Sequence, residues 1–222
     1  MRLSEADHAA VSAAVAAAEA RSDGEIVTVV APRSDAYHDV ALHWAMLAML
    51  GALALLAAFP SIAERAWALV DPWAARTPTG GLIAVALVLA TATFLLARLL
   101  LAWQPLRLAL TPGSTEARRV RRRATELFRV AAERRTKART GVLLYLSLAE
   151  HRAEIVADEA IHSRVAPEVW GEAMAALLAA TRDGRPGEGM AAAVERIGAV
   201  LAEHFPRTAG DVNELSDRLV EL

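Results

Sequence analysis

The sequence predicts an α/β domain interrupted by a transmembrane helical hairpin. Three observations carry this reading. Two apolar runs, about 41–62 and 81–103, are each long enough to cross a bilayer as a helix. One β-branched run, Glu25 to Ala31, precedes them, and two strand-like runs, Val142 to Leu148 and Ala153 to Ala157, follow them. Amphipathic helical stretches flank all three strands. A lone strand before the hairpin and a two-stranded ribbon after it would scarcely be stable apart. Residues 1–38 and 106–222 are therefore expected to share one domain, with the hairpin of residues 39–105 inserted between its two parts.

Composition sets the bounds. Of 222 residues, 55% are hydrophobic and only 5% aromatic, so the apolar content is mostly Ala, Leu and Val. The mean hydropathy is +0.30. Such a chain is too apolar to be disordered. It has no Cys, which excludes a disulfide scaffold and any cysteine-based zinc site. The net charge of −2 conceals a strong pattern. Basic and acidic residues number 3 and 7 over 1–40, 3 and 2 over 41–105, 11 and 3 over 106–139, and 7 and 14 over 140–222.

Residues 4–21 read as a helix. Ser4 and Asp7 stand at capping-box spacing, and Val11, Ala14, Val15 and Ala18 form one face. Ser22-Asp23-Gly24 ends it, and the run Glu25 to Ala31 is a strand apolar on both faces, stopped by Pro32. After the hairpin, Pro112-Gly113-Ser114 is a turn and about 115–138 a long helix with a stripe of Val120, Ala124, Leu127, Phe128 and Ala131. Thr140-Gly141 breaks it. The next two strands are joined by the turn Glu150-His151-Arg152 as a β-hairpin. A helix over 167–181 with Pro167 in its first turn, a loop over 183–187, a helix over 189–205 and a short helix from about Asp211 complete the chain.

The first apolar run has no charge from Val40 to Ala63, and the second none from Gly80 to Ala97. His43 and Trp44 open the first and Trp103 closes the second, as suits the headgroup layer. Arg98 stands about one turn inside, within snorkelling reach of the interface. A chain of this size could hardly bury two helices apolar all round. The first run starts too late to read as a signal peptide. Between the spans, residues 62–79 carry only Arg65 and Arg76 as basic residues, with Trp67 and Trp73 placed to rest on the membrane surface. Arg107, Arg118, Arg119, Arg121, Arg122, Arg123, Arg129, Arg134, Arg135, Lys137 and Arg139 follow the second span. The positive-inside rule puts that flank in the cytoplasm. The expectation is a multi-pass protein of a bacterial inner membrane, N-in and C-in, with its soluble domain cytoplasmic. Arg118, Arg119, Arg121, Arg122 and Arg123 are expected to contact anionic lipid headgroups. They lack interleaved aromatics and adjoin a span, so nucleic acid is not expected as a partner.

Three stretches resemble the TPM domain family, named for a thylakoid lumen protein, a photosystem II repair protein and a nematode receptor modulator. They are SDGEIVTVVAPRSDAY (22–37), RTGVLLYLSLAEHRAEIVADEAI (139–161), and the Trp170 helix with Gly184, Gly189 and the His204-Phe205-Pro206 end. The chain looks most like a bacterial branch with a two-span insertion after the first strand. The resemblance implies a TPM-like mixed sheet flanked by helices. It implies a modulator or assembly role at a membrane complex, divalent-cation binding by acidic residues, or acid-phosphatase activity, since members of each kind are known. After Asp158 the family pattern has a basic residue and Gly, where this chain has Glu159-Ala160.

Carboxylates near strand ends are the candidates for chemistry. Asp35 follows the first strand, and Glu150 and Asp158 bracket the β-hairpin. Strand ends of an α/β sheet are common ligand sites, and two or three of these carboxylates can hold a hard cation such as Ca²⁺ or Mg²⁺. His151 and His162 flank the same strand. No HExxH, P-loop, GxSxG or GxGxxG motif occurs. The expected function is a non-enzymatic accessory or modulator of a membrane complex, with a membrane-protein partner. The alternative is a metal-assisted, acid-phosphatase-like hydrolase built on Asp35, Glu150 and Asp158.

Overall fold

The computed structural model describes residues 3–74, 76–131, 140–208 and 215–222. The chain divides into two compact units, one of residues 1–35 and 113–222, the other of residues 36–112.

The first unit is built on a four-stranded sheet of order β3-β2-β1-β4. Strand β1 is Glu25–Ala31, β2 is Gly141–Ser147, β3 is Arg152–Ala157 and β4 is Val220–Glu221. β1 and β2 pair in parallel from Glu25↔Gly141 to Ala31↔Ser147. β3 runs antiparallel to β2, as a tight turn requires, and β4 runs parallel to β1. Every residue of β1 and β2 is buried, which explains their unbroken aliphatic runs.

Helices cover both faces. On one lies α6 (Gly113–Ala131), whose Val120, Ala124 and Phe128 pack against Val27, Val29, Ala31, Leu143 and Tyr145. On the other lie α1 (Glu5–Glu19), α8 (Gly171–Arg182) and α9 (Pro186–His204), around Ile26, Val30, Leu144 and Leu146. The alternation of strand side chains sorts these two cores by parity. A four-residue helix α7 (Glu159–His162) and a 3₁₀ turn (Pro167–Trp170) connect β3 to α8.

The local signals act through identifiable contacts. Ser4 accepts from the Asp7 amide at 3.1 Å, and Asp7 Oδ2 accepts from the Ser4 amide at 2.9 Å, a reciprocal capping box that starts α1. Val11, Val15 and Ala18 of its stripe are fully buried. Trp170 is a core residue. α9 starts at Pro186, three residues before its expected start. Proline's fixed φ and missing N–H suit a first helical turn, so the Asp183–Gly187 loop is shorter than the sequence reading. α7 and the two-residue β4 were not expected; both are too short for a periodic signal. The expected helix end over 132–138, the helix from Asp211, and Arg134, Arg135, Lys137 and Arg139 lie outside the described residues.

The second unit holds the two apolar helices, α2 (His38–Ala58) and α4 (Thr79–Leu100), with α3 (Pro60–Ala68) and α5 (Gln104–Ala109) after them. Its free ends are fastened by Arg107. The Arg107 side chain is buried and donates to the carbonyls of Leu101 (2.9 Å), Ala102 (3.1 Å) and Ala36 (2.5 Å). A guanidinium at a helix C-terminus satisfies orphan carbonyls and complements the dipole. Trp44 adds a second tie, its indole N–H donating to Leu110 O at 3.1 Å. Trp67 lies over Gly81, where a Cβ would meet its ring at 2.8 Å, so it packs inside the unit. Trp73 is 94% exposed.

Two predictions follow from the packing of the first unit. Gly198 lets α9 approach α1 so closely that a Cβ there would lie 2.4 Å from Ala18 Cβ. Gly198→Leu should cost about 1–3 kcal/mol by overpacking, measured by thermal unfolding in mild detergent. Glu19 is buried and accepts from the Ile26 amide at 2.8 Å. Burial raises its carboxyl from an ordinary 4.5 to about 8; the Ile26 amide pulls it down, while Glu25 and Asp217 push it up. The folded chain therefore keeps a proton that the unfolded chain gives up. The favourable contribution is present below about pH 4.5 and is lost as pH rises toward 8. Glu19→Gln should flatten this decline, raising the melting temperature at pH 8 to 9 relative to the parent and leaving it nearly unchanged at pH 4.

Candidate functional site

Parallel strands β1 and β2 end together, and the loops after them meet at the C-terminal end of the sheet. Backbone bonds run from the Leu148 amide to Ala31 O and from the Ala149 amide to Pro32 O, both at 3.0 Å. The Glu150 carboxylate then bridges the loops. One oxygen accepts from the Ser34 amide at 2.8 Å, and the other accepts a short bond from Ser147 Oγ. Ser34 Oγ and the Tyr145 hydroxyl lie 3.0 Å apart. Tyr145, Ser147 and Glu150 are all buried. Burial lifts the Tyr145 hydroxyl above its ordinary value, opposed by its bonds to Ser34 and Ser147. At the rim, Asp35 forms an ion pair with Arg119 of α6 at 3.1 Å. Arg152 reaches back to Gly113 O at 3.1 Å and to Glu116 at 3.4 Å, holding the start of α6 to the same end.

Asp158 lies elsewhere. It follows β3, beside the first residue of β2, where its Oδ2 accepts from the Gly141 amide at 3.0 Å and its own amide donates to Gly141 O at 3.0 Å. With six residue steps of β2 between them, Asp158 and Glu150 are about 20 Å apart along the strand. The expectation that Asp158 joins Asp35 and Glu150 in one cation site is thus corrected. Hairpin topology sends the end of β3 back to the start of β2, so Glu150 and Asp158 bracket β3 from opposite ends of the sheet. The three carboxylates do not fit a shared Ca²⁺ or Mg²⁺. Among the described residues no group of three His, Asp or Glu side chains has the placement to hold a metal ion. His151, in a left-handed turn conformation, and His162, on α7, are separated in the same way. Glu159-Ala160 start α7.

The five arginines of the basic run also divide. Arg119 and Arg123 are half-buried and turn toward the sheet end and Glu126, while Arg118, Arg121 and Arg122 are exposed. Arg129 joins the exposed set. Together with Thr125 and Glu126 these four line a shallow groove along the outer face of α6.

Sequence reasoning found Glu150 and Asp35 but missed Ser34, Tyr145 and Ser147. A signal was present: Tyr145 and Ser147 are the only polar-tipped residues in an aliphatic strand and stand two apart, hence on one face. The partnership of Ser34 with Glu150 spans 116 residues and has no local signature.

These positions make the carboxylates fasteners of two separate joints, and they should act independently. Glu150→Ala should leave the Ser34 amide and Ser147 hydroxyl unsatisfied and destabilise by about 1–3 kcal/mol. Its effect should add to that of Asp158→Ala within about 0.5 kcal/mol, with or without Ca²⁺. A coupling energy that appears only with Ca²⁺ would reinstate a shared cation.

Comparison with known proteins agrees with this architecture. The family model for the TPM domain matches residues 107–200, which include α6, β2, β3 and most of α9. No curated protein matches the chain. A similar solved structure is the NMR structure of the BA42 protein from the psychrophilic bacterium Bizionia argentinensis. It is 16% identical, with a TM-score of 0.58, over 100% of this chain and 97% of that one. At that identity the likeness is one of fold, a mixed sheet flanked by helices. It is over residues 107–200 that this chain matches the TPM domain.

Proposed function

We propose that the chain is a two-span protein of a bacterial inner membrane whose TPM-type unit faces the cytoplasm and serves a membrane complex as an accessory or modulator. The observation that carries the membrane reading is the exposure of α2 and α4. Within their most apolar 18-residue windows, only 17% and 6% of residues are buried. Ile83, Leu87 and Leu99 are 64%, 66% and 71% exposed. A core helix of a soluble protein hides such side chains; an apolar surface of this extent supports burial in hydrocarbon. The orientation rests on charge, with 11 basic residues over 106–139 against Arg65 and Arg76 between the helices.

The accessory role rests on the sheet end. Its polar groups bond to one another as fasteners between loops, and the chain leaves and re-enters the first unit beside them, at Asp35 and Gly113. A ligand or partner protein at that end would act on the two points where the membrane insert joins the domain.

Reporter fusions test the topology. Alkaline phosphatase fused after Arg76 should be active and after Leu222 inactive, with a fluorescent-protein fusion giving the reverse. Activity at Leu222 would invert the orientation, and extraction of the chain by alkaline carbonate would remove it from the membrane altogether. Cross-linking in cells, followed by purification in mild detergent, should recover a defined membrane-protein partner; recovery of the chain alone would contradict the accessory role.

A further inference from the structure

The outer face of α6 has a geometry that the core does not require. At about 100° per residue, Arg118, Arg121, Arg122, Thr125 and Arg129 fall within a band of about 100° around the helix. Val120, Ala124, Leu127 and Phe128 fall in the adjoining band, against the sheet. The helix from Gly113 to Ala131 holds six Arg and two Glu, a net of +4. Its acidic residues answer only part of this charge. Glu126 pairs with Arg122 at 2.9 Å and Arg123 at 3.8 Å, both on its own helix, and Glu116 is engaged by Arg152. Glu154 of β3 lies near Arg121. Arg119 is committed to Asp35. Arg118, Arg121, Arg122 and Arg129 present exposed guanidinium groups along a shallow groove rather than a closed pocket.

We infer that this stripe, Arg118, Arg121, Arg122 and Arg129, is a docking face for anionic phospholipid headgroups. This rests on the two-span reading. The guanidinium fork matches phosphate oxygens and its stem tolerates an apolar neighbour, so exposed Arg suits a headgroup layer. α6 begins at Gly113, directly after the insert unit ends at Pro112. Arg118 is thus five residues from that junction, and the hairpin tethers the stripe within chain reach of the bilayer. Tethering makes the contact intramolecular, so individually weak charge contacts suffice. The exposed face carries no aromatic side chain to stack on bases, since Phe128 is buried. The contact would set the orientation of the soluble unit on the membrane according to lipid charge and ionic strength.

The test uses the full chain in nanodiscs. The parent has no Cys, so Thr125→Cys places a single environment-sensitive fluorophore within the stripe. The readout is quenching by acceptor-labelled lipid headgroups, in discs of phosphatidylcholine alone or with phosphatidylglycerol added. Quenching should rise several-fold with the anionic lipid and fall back in high salt. It should be lost in R118Q/R121Q/R122Q/R129Q and restored when the same four positions carry Lys. Equal quenching in both lipids, or full quenching in the Gln variant, would overturn the proposal. So would reversal of the lipid response by millimolar inorganic phosphate, which would indicate a phosphate site, or by single-stranded RNA, which would indicate a nucleic-acid face. Failure of the chain to enter nanodiscs would instead defeat the two-span reading on which the proposal stands.

Discussion

The parallel ladder between β1 and β2 is the constraint on which the fold depends. Its register joins Glu25 to Gly141 and Ala31 to Ser147 across more than a hundred intervening residues. Parallel neighbours need a crossover, and α6 supplies it by lying on the sheet between the end of β1 and the start of β2. The insert unit of residues 36–112 occupies the loop between β1 and α6. A flexible loop of that length would oppose closure only by an entropy that grows with the logarithm of its length. Two antiparallel helices fastened at their ends by Arg107 do better, because they return the chain to where it left.

The polar groups at the sheet end make sense in that light. An insert in a strand-to-helix loop joins the domain at two points, here after Asp35 and before Gly113. Those points are secured from two sides: Glu150 grips the Ser34 amide, while Asp35 and Arg152 hold the start of α6 through Arg119, Glu116 and the Gly113 carbonyl. The buried Tyr145 and Ser147 extend the joint into the core. Asp158 performs an analogous task at the far end, where β2 begins. Carboxylates at strand ends are often read as ligand sites. Here the oxygens of Glu150 and Asp158 are turned inward to backbone amides and a buried hydroxyl, a geometry of fastening.

Much of this was legible in residues that act locally. The Ser4–Asp7 box, the aliphatic run of β1, the tight turn between β2 and β3 (at residues 148–151, one or two residues earlier than expected) and the 3.6-residue stripe of α6 are decided by neighbours within a few positions, so their signals survive in one dimension. What failed depends on distant partners or very short elements. The pairing of Val220–Glu221 with β1 is two residues long and rests on backbone bonds, which no pattern announces. The separation of Asp158 from Glu150 follows from the sense in which β3 returns, so proximity in sequence misled. The split of the arginine run into a half-buried pair and an exposed set was available from the 100° helical repeat, but the tie of Arg119 to Asp35 needed the fold to be seen.

The central claim is that β1, from before the insert, and β2, from after it, belong to one cooperative sheet. Amide hydrogen exchange of the detergent-solubilised chain tests it most directly. The amides of Ile26 through Val30 and of Val142 through Leu146 should exchange at the same slow rate. Destabilising the shared core by Val30→Ala should accelerate both strands by the same factor. Fast exchange in β1 beside slow exchange in β2, or acceleration confined to β1, would mean that the segment before the insert does not form part of the sheet.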